Sequence, residues 1–395
     1  MIYPRLYTLN HEDIYQGKAT DIYFIRSREI LKKYGMCDTI VRYEIHTYGL
    51  PKSYKWAVYT GLEEVIALLE NREVTLYSVP EGTLFTELQP LAIVEGKICD
   101  IIHIETSLLG ILRFYSSVST KAARIKKIAG DKQVIFFGLR AQHPALAPAL
   151  DRAAYIGGCD AVSGAYSKEF LGIEPRGTMP HALIIIFGDM VKALKAFDET
   201  MPEDVPRIAL VDTFYDERLE SLMAAKALGK RLWGVRLDTP RSRRGDMRLI
   251  VQEVKWTLKI NGFDNVKIVV SGGIDEDQIR NLRNIVDAFG VGTSIAFPPS
   301  IDISMDIVEI YDEKTNTWIP VTKRGKLPGS KQLYRCKPII EDYIDVPGKE
   351  YICSDGSKAT PMILKYIENG KLVRPLPSPT EIRNYVLSQL KDVEL

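Results

Sequence analysis

Hydrophobic and polar positions alternate in three different ways along this chain, and each way predicts a different architecture. Up to about residue 110, short apolar runs are broken by turn residues. "EEVIALLE" (63–70) sets its apolar residues at helical spacing. "REVTLYSVPEGTLFTELQPLAIVEG" (72–96) is punctuated by Pro80, Gly82, Pro90 and Gly96, which predicts short antiparallel strands joined by turns. "IETSLLGILRFYSSVSTKAARIKKIAG" (104–130) then holds a helical period until Gly130 stops it.

From 131 to about 300 the period switches back and forth. The strand candidates are "QVIFFG", "CDAVSG", "HALIIIFG", "RIALVDT", "LWGVRLD", "VKIVVSGG" and "VDAFGVGT". Helical stretches separate most of them, among them "MVKALKAFDE", "DERLESLMAAKALGK" and "RLIVQEVKWTLKING". Strand followed by helix, again and again, is the signature of parallel βα units. Their number favours a closed or nearly closed α/β barrel, with a doubly wound sheet as the alternative. After 300, "VEIYDEKTNTWIPVTKRGKLPGSKQLYRC" alternates like hairpins, with turn signals at Thr315-Asn316 and Pro328-Gly329. The last segment, "SPTEIRNYVLSQLKDVEL", predicts a helix capped by Ser378 or Thr380 with Pro379 in or near its first turn. The expected division is therefore 1–110, 111–300 and a small β-rich 301–395 with a terminal helix.

Composition narrows the function classes. Of 395 residues, 46% are hydrophobic and 26% charged, a globular balance, and the net charge of +1 gives no bulk attraction to nucleic acid or an anionic membrane. The apolar runs are too short to span a bilayer. The N-terminus carries acids early and has no continuous apolar core, so no signal peptide is expected. Five scattered cysteines, an odd number, fit a reducing compartment better than a disulfide framework. These features predict a cytoplasmic protein.

In a parallel barrel, chemistry gathers where strands end. The residues there are Phe137 to Arg140, Asp160, Ser163, His181, Asp212, Arg236, Asp238, Ser271-Gly272-Gly273 and Gly290 through Thr293. The glycines of "VVSGGI" and "FGVGTSIA" let backbone N–H groups approach a phosphate, or else serve tight turns. Arg140 and Arg236 suit a ligand carrying carboxylate or phosphate. Asp212 and Asp238 could hold a cation-bound pyrophosphate, bind ribose hydroxyls, stabilise developing positive charge, or cap helices. His181 follows Thr178 in "RGTMPHALI" and is one of only five histidines. It is either a packed histidine or a chemical group.

Taken in order, "FFGLRAQHP" (136–144), "GGCD" (157–160), "GTMPHA" (177–182), "LVDTF" (210–214), "GVRLDT" (234–239), "SGGI" (271–274) and "FGVGT" (289–293) resemble nicotinate phosphoribosyltransferase, of the type II phosphoribosyltransferases. "EDIYQGKATDIYF" (12–24) and "PLAIVEG" (90–96) resemble that family's N-terminal sandwich domain. The resemblance implies an irregular TIM-like α/β barrel with an N-terminal α/β sandwich, in dimers that share their sites. It implies transfer of phosphoribosyl from phosphoribosyl pyrophosphate to nicotinate, with Mg2+, in the biosynthesis of NAD. Phe137 would then stack on the pyridine ring, and Arg140 and Arg236 would face the carboxylate and phosphates. Asp160 and Ser163 would lie near the base, and Thr178, beside His181, would contact substrate. Ser271, Gly272, Gly273, Gly290, Gly292 and Thr293 would hold the 5′-phosphate. Tyr15 or Tyr23 would reach in from the partner subunit. His181 matches the histidine that the family phosphorylates from ATP. Archaeal-type relatives end in a knuckle with two Cys-x-x-Cys pairs, whereas "CKPI" and "CSDG" keep one cysteine each, so no complete four-cysteine zinc site is expected. The alternatives are quinolinate phosphoribosyltransferase on the same barrel, a nicotinamide-specific transferase, and a non-catalytic nucleotide sensor.

Overall fold

The computed structural model describes residues 6–337 and 341–395. The first five residues, part of the stretch read for a signal peptide, and the last two residues of the quoted "CKPI" lie outside the described residues. The chain forms two compact units. One comprises residues up to 120 together with 299–395, and the other is 121–298.

The second unit is built on a six-stranded sheet. Its order is Ala161–Val162, Gln133–Phe136, Ala288–Val291, Lys267–Val270, Leu232–Leu237, Arg207–Leu210. Every neighbouring pair is parallel. The central strands Gln133–Phe136, Ala288–Val291 and Lys267–Val270 are buried along nearly their whole length, as strands covered on both faces must be. Helices Ala147–Ile156, Glu217–Leu228, Met247–Ile260 and Glu276–Leu282 follow strands as the periodicity predicts, whereas Met190–Thr200 follows another helix. The expected closed or nearly closed barrel is observed as a parallel half-barrel, since among the described residues no pairing joins Ala161–Val162 to Arg207–Leu210. The segment meant to fill that gap, "HALIIIFG", is not a strand. It is the helix His181–Phe187, entered from extended Pro180 and ended by Gly188 at φ 63°. A short continuous apolar run carries no period that separates strand from buried helix, and β-branched residues bias the reading towards strand.

The first unit holds a seven-stranded sheet of order Thr317–Pro320, Asp302–Asp312, Ile40–Gly49, Pro90–Lys97, Val74–Ser78, Leu364–Glu368, Lys371–Leu372. All of its pairings are antiparallel. This corrects the separate region 301–395. The three N-terminal strands leave two open edges, and strands from beyond residue 300 pair with both, which satisfies backbone groups that would otherwise face water unpaired. The domain boundary expected near 110 falls inside the helix Glu105–Ala129. The terminal helix Pro379–Gln389 carries the predicted cap: Ser378 and Glu381 form a reciprocal capping box with Pro379 at the first turn. It lies so close to Gly82 (φ 87°) that a Cβ there would stand 2.9 Å from Ile382. Gln389 clamps the same turn through Leu84 N–H and Gly82 O. Among the described residues no helix is long and apolar enough to cross a membrane.

The cysteine reading is overturned. Cys37 pairs with Cys99 and Cys336 with Cys353, at Cα separations of 4.9 and 5.6 Å, and buried Cys159 is in neither disulfide. Scatter along the sequence hid the pairs, since partners 62 and 17 residues apart meet only through the fold. Cysteine usage therefore no longer argues for a reducing compartment. Loops of this length predict about 3–4 kcal/mol of stabilisation per bridge through restriction of the unfolded chain. Thiol titration of the denatured, unreduced protein should find one free thiol. Cys353→Ser should lower the urea midpoint relative to the unreduced wild type, and equal midpoints would show the bridge is absent or idle.

Candidate active site

The six strands of the second unit end on one side of their sheet, and a cavity of about 1020 Å³ opens there. Phe137, Arg140, Ser163, Thr178, His181, Arg236, Asp238, Ser271, Gly272, Gly273, Gly290, Gly292 and Thr293 all line it. Thirteen positions spread over more than 150 residues thus converge on one space. Asp212 borders an adjoining cavity of about 540 Å³, and His181 lines both.

Three predicted residues are not at this mouth. Asp160 precedes its strand, accepts the N–H of Val134 and pairs with Lys126 at 2.8 Å. Both partners sit by the start of the strand Gln133–Phe136, so the carboxylate braces that end of the sheet. Tyr15 and Tyr23 belong to the first unit. Tyr15 donates to Glu70 O and lies under Arg72, while Tyr23 is exposed and packs on Phe24.

Phe137 follows the strand Gln133–Phe136 and fastens its N–H to Val291 O at 2.8 Å. Gly290 is what admits its ring, since a Cβ at that position would lie 2.6 Å from Phe137 Cδ2. Gly290 therefore makes space for an aromatic face and lies in a strand, which differs from the turn glycine that the pattern implied. Gly272 and Gly273 do take left-handed backbone, at φ 78° and 77°, and a Cβ on Gly272 would stand 2.3 Å from Asp238 O.

Arg236 reaches over the Phe137 ring at 5.7 Å and donates to Met179 O at 3.3 Å. Its buried Nε has no hydrogen-bond partner, and burial holds its pKa below the usual guanidinium value. Asp238 lies 3.8 Å from Arg236 and accepts a 2.6 Å hydrogen bond from Ser271 Oγ. His181 Nδ1 sits 3.0 Å from Thr213 Oγ1. Its Nε2 faces two carboxylates, 3.8 Å from Asp212 Oδ1 and 3.7 Å from Asp238 Oδ2. Burial pushes Asp212 up to about 6, with His181 and Thr239 pulling it back. Its Oδ1 has no hydrogen-bond partner. A half-exposed imidazole between two acids, beside a partly desolvated arginine and an aromatic face, can bind a flat anionic heterocycle and handle phosphate.

Several residues here escaped the sequence reading. Thr239 Oγ1 lies 3.0 Å from Asp212 and 2.6 Å from Glu217. Arg244 bonds the carbonyls of Thr239 and Gly272, tying two strand-end loops together. Asp151, fully buried, accepts Gly164 N–H and Ser167 Oγ and so shapes the loop that carries Ser163. Two of these had a visible signal: Thr239 closes the quoted "GVRLDT", and Arg244 is one of the arginines clustered in "DTPRSRRGD" (238–246).

Two family models match the chain: the quinolinate phosphoribosyl transferase N-terminal domain over residues 21–116, and its C-terminal domain over 118–306. Nicotinate phosphoribosyltransferase of Bacillus subtilis is 29% identical over 80% of this chain and 72% of its own. The solved nicotinate-nucleotide pyrophosphorylase of Pyrococcus furiosus is 47% identical over the whole of both chains, with a TM-score of 0.94. The chain belongs to the type II phosphoribosyltransferase family. It is an enzyme, as its named homologues are. Human nicotinic acid phosphoribosyltransferase shares the fold of this phosphoribosyltransferase over 95% of the chain, with a TM-score of 0.76 at 21% identity.

Two measurements check this geometry. Gly290→Ala should displace the Phe137 ring and lower kcat/KM for the base at least tenfold, while a wild-type value would mean the ring is not a binding surface. The second concerns Asp212. A carboxyl raised from 3.8 to about 6 holds its proton in the folded state while the unfolded chain has released it, so wild-type stability falls as pH rises from 4 to 6. Asp212→Asn should match wild type near pH 4 and be more stable above pH 6 by about 1–3 kcal/mol, read from urea midpoints across that range. A difference independent of pH would show that Asp212 ionises normally.

Proposed function

We propose that this enzyme transfers phosphoribosyl from phosphoribosyl pyrophosphate to the ring nitrogen of nicotinate, releasing pyrophosphate and coupling the transfer to ATP through His181. The observation that carries the reading is Arg236: a largely buried guanidinium with an unpartnered Nε, held over the edge of an aromatic ring in the strand-end cavity. A desolvated cation with a spare donor beside an aromatic face suits an aromatic carboxylate. The name of the curated relatives, nicotinate phosphoribosyltransferase, supports the same base.

The chemistry asks little of a general base. The pyridine nitrogen uses its own lone pair to form the bond to the ribosyl carbon while the bond to pyrophosphate breaks. Catalysis then rests on positioning and on charge. Phe137 stacks the pyridine, and Ser163 and Thr178 border it. Arg140 adds a second cation for phosphate or carboxylate. Ser271, Gly272, Gly273, Gly292 and Thr293 cradle the 5′-phosphate. The orphaned Asp212 Oδ1 and neighbouring Asp238 fit a cation that arrives with phosphates, although no cluster of three or more ligating side chains exists among the described residues. Magnesium bound there would neutralise the leaving pyrophosphate. In the ATP-driven half-reaction a ring nitrogen of His181 bonds the γ-phosphorus as the bond to ADP breaks, and the phosphoryl group later passes to water. A homodimer in which Tyr15 or Tyr23 of the partner subunit closes the base site completes the proposal.

Quinolinate is the second reading, favoured by the name of both family models and by the 47% identical nicotinate-nucleotide pyrophosphorylase of Pyrococcus furiosus. It predicts carbon dioxide release and no use of ATP. Pyrophosphate release assayed with nicotinate, nicotinamide and quinolinate decides between them, with nicotinate expected to give the highest kcat/KM. Arg236→Ala should cost nicotinate about 1.5–3 kcal/mol and nicotinamide much less, and equal losses would assign Arg236 to the phosphates. ATP should leave an acid-labile, base-stable phosphate on the wild type that His181→Asn lacks. Labelling that persists in His181→Asn would end the coupling role.

A further inference from the structure

His181 stands at the first turn of a seven-residue helix whose last three residues are exposed, so its own element does little to hold the ring. The hydrogen bond that orients the imidazole comes from another loop, at Thr213 Oγ1. That loop follows the strand Arg207–Leu210 and has no regular secondary structure. Nor does apolar packing fix it, because Phe214 and Tyr215 are 45% and 58% exposed.

What fixes it is Glu220. This residue lies one turn into the helix Glu217–Leu228 and is completely buried. Its carboxylate turns back on the loop and accepts three consecutive backbone N–H groups. Oε2 takes Thr213 at 3.0 Å, and Oε1 takes Phe214 at 2.7 Å and Tyr215 at 3.0 Å. Three donors on one carboxylate explain how an acid survives full burial, since charge-assisted bonds replace the lost water. The same bonds fix the backbone from which Thr213 presents its hydroxyl, and Asp212 precedes it directly.

We infer that Glu220 is a positioning residue for His181, acting through Thr213. The inference rests on the proposed phosphoryl-acceptor role of His181 for its kinetic consequence. Without the Thr213 hydroxyl the imidazole turns about its side-chain torsions, and the share of conformers with a ring lone pair aligned for attack falls.

The test uses the full-length protein. Single-turnover labelling from γ-labelled ATP should be about tenfold slower in Thr213→Val and in Glu220→Gln, and within twofold of wild type in Thr213→Ser. Thr213→Val removes one hydroxyl at nearly constant volume, so it reports even if Glu220→Gln fails to fold. Wild-type labelling in Thr213→Val, or labelling as slow in Thr213→Ser, overturns the inference. A second arm is independent of ATP. With five histidines, the ring 15N signals of His181 are assignable by their loss in His181→Asn. Thr213→Val should shift its Nδ1 signal and Thr213→Ser should restore it, whereas an unmoved signal overturns the positioning role. A wild type that takes no label while its Nδ1 responds to Thr213→Val supports the positioning and refutes the phosphoryl-acceptor reading alone.

Discussion

Six parallel strands ending on one side of one sheet are the constraint on which everything else in this enzyme depends. A parallel pairing sends each strand's C-terminal residue to the same edge, whatever its distance along the chain. Phe137, Ser163, Arg236, Asp238, Ser271 and Gly292 become neighbours for that reason. The apolar interiors of the strands supply the stability, and the polar ends are left free to differ.

That freedom is used to assemble charge which the protein alone does not neutralise. Arg236 has a donor without a partner, and Asp212 has an oxygen without one. His181 stands between two carboxylates at distances too long for hydrogen bonds. A folded chain normally satisfies such groups, and these open ones are what the proposed anionic, cation-carrying ligand would meet. The neighbouring groups are treated in the opposite way. Ser271 is bonded to Asp238, Thr239 to Asp212 and Glu217, and Glu220 to three N–H groups. The reactive groups stay open while the residues behind them are locked.

The first unit follows a different logic. Its N-terminal strands cannot close their own sheet, and strands from beyond residue 300 complete both edges. The terminal helix then clamps the turn at Gly82 and Leu84. This makes the last hundred residues part of the first unit's core, with Leu333, Met362, Tyr366 and Ile367 packed among residues from before position 112.

Local pattern carried much of this. Alternation and helical period marked the βα units, Pro and Gly marked the turns from 72 to 96, and Ser378 with Pro379 marked the last helix. Glycine, arginine and aspartate at strand ends marked most of the cavity. These signals are legible because each depends on residues within a few positions of one another. What the tertiary structure decided depends on partners far apart in sequence. "HALIIIFG" has the same apolar content as strand or helix, and only its surroundings made it a helix. Asp160 looks like a site acid until its strand's direction puts it by Lys126. Cys37 and Cys99 look isolated until two elements bring them together. Glu220 reads as one acid among many on a helix, and its three hydrogen bonds to the loop beneath His181 exist only once that helix has folded back.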